Sequence, residues 1–175
     1  SGYKRLRGTY GASVGYLSPE AKKLVPGIVG FRSNEDIWDM RSDRMNLPED
    51  ASRFEFTTLH FGALRGLAAS IEEMLEIGIE KIWEHDLSLS GMVVQLANAR
   101  GLVVTSPTDD DQRSAIVSIR PPPEHHSAEI VRRLQDEFGI LVTDRSGMIR
   151  VSPHIDNDHS QIEFLFTSLD TILAK

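Results

Sequence analysis

Lys4 is the residue of this chain best placed for covalent chemistry. It stands in the stretch S-G-Y-K-R-L-R-G-T-Y-G-A-S-V-G-Y-L, Ser1 to Leu17, where Gly8, Gly11 and Gly15 frame a small-residue turn. Glycine permits positive φ and lets the backbone come close to something else. Alternation of aromatic and β-branched residues around such a turn predicts short strands, with Lys4 at the end of one of them. A lysine held there in a partly desolvated crevice has its neutral, nucleophilic amine favoured, and such an amine can form a Schiff base. The plainer reading is a solvated lysine in a basic turn shared with Arg5 and Arg7.

The elements that would position such a residue can be read in order. Ser18-Pro19 and Pro26-Gly27 mark turns, and Phe31 to Arg53 is polar and without sustained period, which predicts extended loop or interface material. Thr57 or Thr58 can then cap a long helix carrying Leu64, Leu67, Ala68, Ile71, Met74 and Leu75, which ends or kinks at Gly78. A second helix follows with Ile82, Leu89, Val93, Leu96 and Ala97, stopping at Gly101. Beyond it come strand patterns at Leu102 to Thr105 and Ser114 to Ile119, then a helix with Ile130, Leu134 and Phe138 that ends at Gly139. Ile140 to Thr143 and Met148 to Ser152 form a hairpin pattern across Asp144 to Gly147. The last helix opens near Asn157-Asp158, with Gln161 completing a capping box, and turns Ile162, Leu165, Phe166, Leu169 and Ile172 inward. Strand, strand, helix, strand, strand, helix is the order of a two-layer α+β domain with helices on one face of a mainly antiparallel sheet. The first 57 residues hold too few strands to close a core and need something more to pack against.

Composition narrows the function classes. The 175 residues are 40% hydrophobic and 26% charged, an ordinary globular balance, and no apolar run approaches the ~20 residues of a membrane span. A net charge of −7 argues against nucleic acid as a partner. The absence of cysteine excludes a thiol nucleophile, disulfides and thiolate metal sites within these residues, and makes a cytoplasmic home unremarkable. No signal sequence is visible. The six histidines, among them His125, His126 and His154, have no histidine partner at i,i+4 spacing, so hydrogen bonding is expected of them and metal binding is not.

With these segments in place, the chain resembles the C-terminal portion of a class V aminotransferase-like enzyme. This is the pyridoxal-phosphate group of fold type I that includes isopenicillin N epimerase-like proteins, kynureninases and cysteine desulfurases. The family's lysine pattern is roughly Y/H-K-W-L-x-G-P-x-G-x-G. Tyr3, Lys4, Leu6, Gly8, Gly11 and Tyr16 fall into it, with Arg5 where Trp is usual and Thr9 where Pro is usual. Arg53 to Thr58 is similar to R-F-E-x-G-T, with Thr57 in place of Gly. Ile149 to Asn157, I-R-V-S-P-H-I-D-N, is similar to R-I/V-S-x-x-x-Y-N, with Asp156 in place of Tyr. Three motifs in the right order are much more specific than any one of them.

The resemblance implies an α/β architecture. Residues 1–57 would be the end of the large domain that binds the cofactor, and 58–175 a linking helix with a small C-terminal α+β domain. It implies pyridoxal 5'-phosphate as cofactor, joined to Lys4, with its phosphate reached by Thr57 and Thr58 of the neighbouring subunit in a homodimer. It implies Arg150 as the group holding the substrate carboxylate through a planar two-bond fork, which turns the Cα–H bond perpendicular to the cofactor ring. The family's pyridine-nitrogen Asp, ring-stacking residue and glycine-bounded phosphate segment precede the lysine, whereas three residues precede Lys4 here. The expectation is therefore a C-terminal portion, inactive alone, of an aminotransferase, epimerase or lyase acting on an amino acid. Lack of cysteine and a short last hairpin point away from desulfurases and toward the epimerase-like branch. A noncatalytic α+β interaction module, or a small-ligand-binding one, is the alternative from another class.

Overall fold

Apolar residues at helical spacing and short alternating runs become, among the described residues, four helices and four strands: α1 Phe61–Ile77, α2 Ile79–Ala99, β1 Val103–Val104, β2 Val117–Arg120, α3 Ser127–Phe138, β3 Thr143–Arg145, β4 Met148–Val151 and α4 His159–Leu173. Three 3-10 helices, Pro19–Lys23, Phe31–Ser33 and Ala51–Phe54, precede them. The structure, a computed structural model, describes residues 1–174, and of Lys22 the backbone alone. It divides into two units, Ser1–Glu76 and Ile77–Lys175. The linking helix α1 is thus grouped with the first unit, where the sequence reading placed it after residue 57, at the start of the second.

In the second unit the strands form one antiparallel sheet in the order β1-β2-β4-β3. Val117 faces Val151, Ser118 faces Arg150 and Ile119 faces Ile149, so alternate residues of β2 and β4 share each face. Val117, Ile119, Ile149 and Val151 are buried with Leu89, Val93 and Ala97 of α2, Ile130 and Leu134 of α3, and Ile162, Leu165, Phe166, Leu169 and Ile172 of α4. This is the expected two-layer core. Burying each such aliphatic or aromatic side chain contributes about 1.5–3 kcal/mol, which is why this unit closes on itself.

Local signals fix where its elements start and stop. Gly139, in the left-handed region at φ 70°, ends α3, and the Ile140 N–H donates to the Leu134 carbonyl across it. The hairpin turn is tighter than the expected four residues. Arg145 pairs with Met148, and Ser146 and Gly147 have φ of 52° and 78°, the mirror-image turn that suits strand twist. At α4, Asp158 accepts from the Gln161 N–H at 3.0 Å while the Gln161 side chain accepts from the Asp158 N–H at 3.2 Å.

The first unit is built differently, and one expectation fails there. The described residues of Ser1 to Leu17 contain no strand but two turns, at residues 2–6 and 10–11, and no regular element after them. A strand needs a neighbouring edge, and here the segment bonds to itself instead: the Gly2 N–H donates to the Ala12 carbonyl and the Gly8 N–H to the Gly2 carbonyl. Its buried cluster is small, Ala12, Ala63 and Leu67. Tyr10, Tyr16, Val25 and Trp38 lie open, each at least 78% exposed.

The α4 cap yields a pH-dependent test. The Ser160 hydroxyl and then the Gln161 N–H hold the Asp158 carboxyl below the usual carboxylate range. A depressed carboxylate contributes stability above its unfolded pKa and loses it as pH falls through the folded one. Asp158→Ala is expected to lower the unfolding temperature at pH 7, and the gap to the parent is expected to close as the pH is taken well below about 4. Thermal unfolding at several pH values measures both.

Candidate active site

Lys4 occupies a turn closed by the Arg7 N–H donating to its carbonyl at 2.8 Å, with Arg7 at φ 54°. The lysine is exposed, which corrects the expected desolvated crevice at a strand end. Its Nζ lies 5.8 Å from the centroid of the Tyr3 ring, which in turn stacks on Tyr10 at 4.4 Å. What fixes this turn is its docking along α1. A Cβ on Gly2 would stand 2.6 Å from the Ala12 carbonyl oxygen and 3.0 Å from Leu67. A Cβ on Gly66, within α1, would stand 2.9 Å from the Thr9 methyl. Thr9 Oγ1 donates to the Ala63 carbonyl at 3.1 Å, the Ser70 hydroxyl to the Leu6 carbonyl, and Arg7 pairs with Glu73 at 3.1 Å. Turn and helix pack this closely because glycines stand where side chains would collide; a Cβ on Gly8 would lie 2.7 Å from the Leu67 side chain and 3.2 Å from its Cα.

Thr57 and Thr58 are exposed in the bend ahead of α1. Neither caps the helix. His60 does so: its Nδ1 accepts from the Ala63 N–H at 3.1 Å and its carbonyl from the Leu64 N–H at 3.0 Å. The threonines are left outside the helix as hydroxyl groups facing solvent. Upstream, Ser33 and Asn34 are buried within a segment whose lack of period hid them. The Asn34 carboxamide accepts from the Asn46 N–H at 2.9 Å and donates to the Asp36 carbonyl at 2.8 Å. The Ser33 hydroxyl donates to the Glu55 carbonyl at 3.0 Å, and Arg32 pairs with the Glu55 side chain at 2.9 Å. The abundance of Ser, Asn and Asp here is a turn signal that could have suggested such anchors.

Arg150 lies in the second unit on β4, between Ser118 of β2 and Thr143 of β3. It alternates with the buried Ile149 and Val151, so it stands on the sheet face opposite the helices. The residue is half-buried, and its Nε is out of water with no hydrogen-bond partner among the described residues. An unpaired buried donor of this kind is costly. The loop after β4 is tied to α2: His154 Nδ1 lies 2.9 Å from Asp86 Oδ2, and the Asn157 side chain accepts from the His154 N–H at 3.0 Å. His154 therefore has the hydrogen-bonding role its sequence context suggested. Lys4, Thr57 and Thr58 belong to the first unit and Arg150 to the second.

Comparison with known proteins defines the class. The family model for aminotransferase class-V matches residues 1–165, and the chain belongs to that family. Pyridoxal phosphate is the cofactor to which this membership points. Among curated proteins, the chain is 26% identical to a probable cysteine desulfurase from Pyrococcus abyssi, covering 99% of this chain and 45% of that protein. It is 25% identical to a kynureninase from Geobacillus thermodenitrificans, covering 86% of this chain and 36% of the relative. The chain thus spans less than half the length of these relatives. Among solved structures, a cysteine desulfurase from Escherichia coli shares the fold at a TM-score of 0.79 and 21% identity, over 99% of this chain and 45% of that one. A cystine C-S lyase variant, solved with glycine covalently linked to its pyridoxal-phosphate cofactor, matches at 0.75 and 19% identity, over 88% and 40%. No helix among the described residues is long and apolar enough to cross a membrane.

The docking of the lysine turn gives a direct test. Gly2→Ala forces a Cβ against a backbone oxygen and is expected to destabilise the first unit by about 1–3 kcal/mol, the range for overpacking. Gly15→Ala, where nothing lies within 4 Å, is expected to change stability by less than about 0.5 kcal/mol. Denaturant melts of both variants, with hydrogen exchange over residues 1–12, decide it.

Proposed function

We propose that the protein is a pyridoxal-phosphate-dependent enzyme acting on an amino acid, of which this chain supplies the cofactor lysine, a phosphate-binding loop and the substrate-carboxylate arginine. The observation that carries the reading is that one family match spans Lys4, Thr57, Thr58 and Arg150 together. The donor set suits the group: an exposed primary amine for an aldehyde, exposed hydroxyls for a phosphate, and a guanidinium lacking an acceptor at Nε. When bound, the cofactor supplies an electron sink for the pair left when a bond to the substrate Cα breaks.

The chain's own groups then have distinct tasks. Lys4 would hold the cofactor through its aldehyde group and supply the amine that takes or returns the proton at the substrate Cα. Arg150 holds the α-carboxylate through two parallel N–H donors, which fixes the rotation of the substrate about that end. Thr57 and Thr58 would offer their hydroxyls to the cofactor phosphate of a second copy, in a homodimer completed by an N-terminal portion. The exposed Tyr10, Tyr16, Val25 and Trp38 of the first unit support a surface covered by further polypeptide.

Within the family, we place the protein on the isopenicillin N epimerase-like side. Support comes from the lack of any cysteine in this chain and from the last hairpin, whose two-residue turn Ser146-Gly147 leaves no loop there to carry a thiol. Similarity to a probable cysteine desulfurase therefore concerns the scaffold and the shared cofactor chemistry.

Two experiments on the full-length parent protein test this. Borohydride reduction in the presence of pyridoxal phosphate is expected to attach the cofactor to the Lys4 peptide, as read by mass spectrometry. Attachment elsewhere, or unchanged cofactor absorbance in Lys4→Ala, defeats the assignment. Arg150→Lys keeps the charge but not the fork. It is expected to raise KM for the amino acid about tenfold to a hundredfold, the equivalent of about 1.4–3 kcal/mol, with a smaller change in kcat.

A further inference from the structure

We propose that Ser33 is a positioning residue for the phosphate-binding loop, fixing the backbone of Glu55-Phe56 so that Thr57 and Thr58 meet an anion in a preset arrangement. The inference rests on the phosphate role proposed above for those threonines.

Ser33 is fully buried, at 0% exposure, inside a stretch whose other residues from Phe31 to Arg53 are, apart from Asn34, exposed or half-buried. Its hydroxyl works in both directions: it accepts from the Gly30 N–H at 3.2 Å and donates to the Glu55 carbonyl at 3.0 Å. A Cβ on Gly30 would lie 2.0 Å from the Phe56 carbonyl oxygen, so the two backbone stretches pass at a distance no side chain could occupy. Arg32 holds the Glu55 carboxylate from the same turn at 2.9 Å. Glu55 is therefore gripped at its carbonyl and its side chain, and Phe56 is pressed against Gly30, immediately before Thr57.

This grip has a reason in the loop itself. Where the family pattern has glycine, this chain has Thr57, and Thr57 does not adopt positive φ. The loop thus lacks the torsional freedom with which a glycine could fold around a phosphate on binding. Its approach has to be set from upstream, and Ser33 and Gly30 are the groups that set it. A loop ordered beforehand spares the entropy of ordering it on binding, so the gain appears in affinity for the phosphate.

The test compares pyridoxal phosphate with pyridoxal, which lacks the phosphate, on the full-length parent protein. Affinities for both are taken by absorbance titration, and the apo proteins are melted alongside. In Ser33→Ala, affinity for pyridoxal phosphate is expected to fall about tenfold, while affinity for pyridoxal stays within about twofold. Ser33→Cys keeps the buried volume with a weaker hydrogen-bonding group and is expected to fall between. It decides the matter if Ser33→Ala does not fold. Thr58→Ala serves as the reference for direct loss of a phosphate donor. If Thr58→Ala lowers the preference for the phosphorylated form and the folded Ser33 variants do not, or if the Ser33 variants weaken both ligands alike, the inference is overturned and the phosphate role of Thr58 stands. If Thr58→Ala itself leaves the preference unchanged, the phosphate assignment fails and the inference falls with it.

Discussion

The first unit depends on one contact, the passage of the lysine turn across α1 at positions where neither strand of backbone carries bulk. Gly2 and Gly8 on the turn and Gly66 on the helix let the chains approach until Leu67 fills the remaining space, at 2% exposure. Apolar burial is too small here to order the segment alone, with three buried residues in the cluster. Polar ties make up the difference: Thr9 to Ala63, Ser70 to Leu6, Arg7 to Glu73. Because Lys4 rides on that turn, its placement is determined by the absence of side chains several residues away.

The second unit solves the opposite problem. Its core holds itself, and the constraint is which face of the sheet each side chain takes. Register sets this. Ile149 and Val151 must face the helices, and period two then sends Arg150 to the other face, flanked by Ser118 and Thr143 on neighbouring strands. A slip of one residue would bury the guanidinium and expose the aliphatic pair. The Asp86–His154–Asn157 ties pin the chain just beyond β4, so the strand cannot slide along its neighbours.

Much of this was legible in the sequence, and what was not has identifiable causes. The helices α2, α3 and α4, the capping box at Asp158 and the glycine stop at Gly139 follow from local periodicity and capping chemistry, which tertiary context did not override. The three family motifs located Lys4, Thr58 and Arg150 as candidates without saying how they are held. Strands around Lys4 were misjudged because pattern shows a preference for extended backbone but not the presence of a partner edge. His60, not a threonine, caps α1, since an imidazole nitrogen two residues closer to the helix reaches the Ala63 N–H. Ser33 and Asn34 were invisible because their burial follows from hydrogen bonds to Glu55 and Asn46, twenty-two and twelve positions away, which no window of sequence reports.

The margins of the small sheet carry a further consequence. On one side lies β1, two residues long, and on the other β3, Thr143–Arg145, entirely exposed and bearing Asp144 and Arg145. Margins so brief and so charged make poor templates for pairing with a stray peptide. Any polypeptide that joins this unit must therefore recognise side chains rather than extend the ladder, and the unit is guarded against fibrous self-association when produced apart from the rest of its protein.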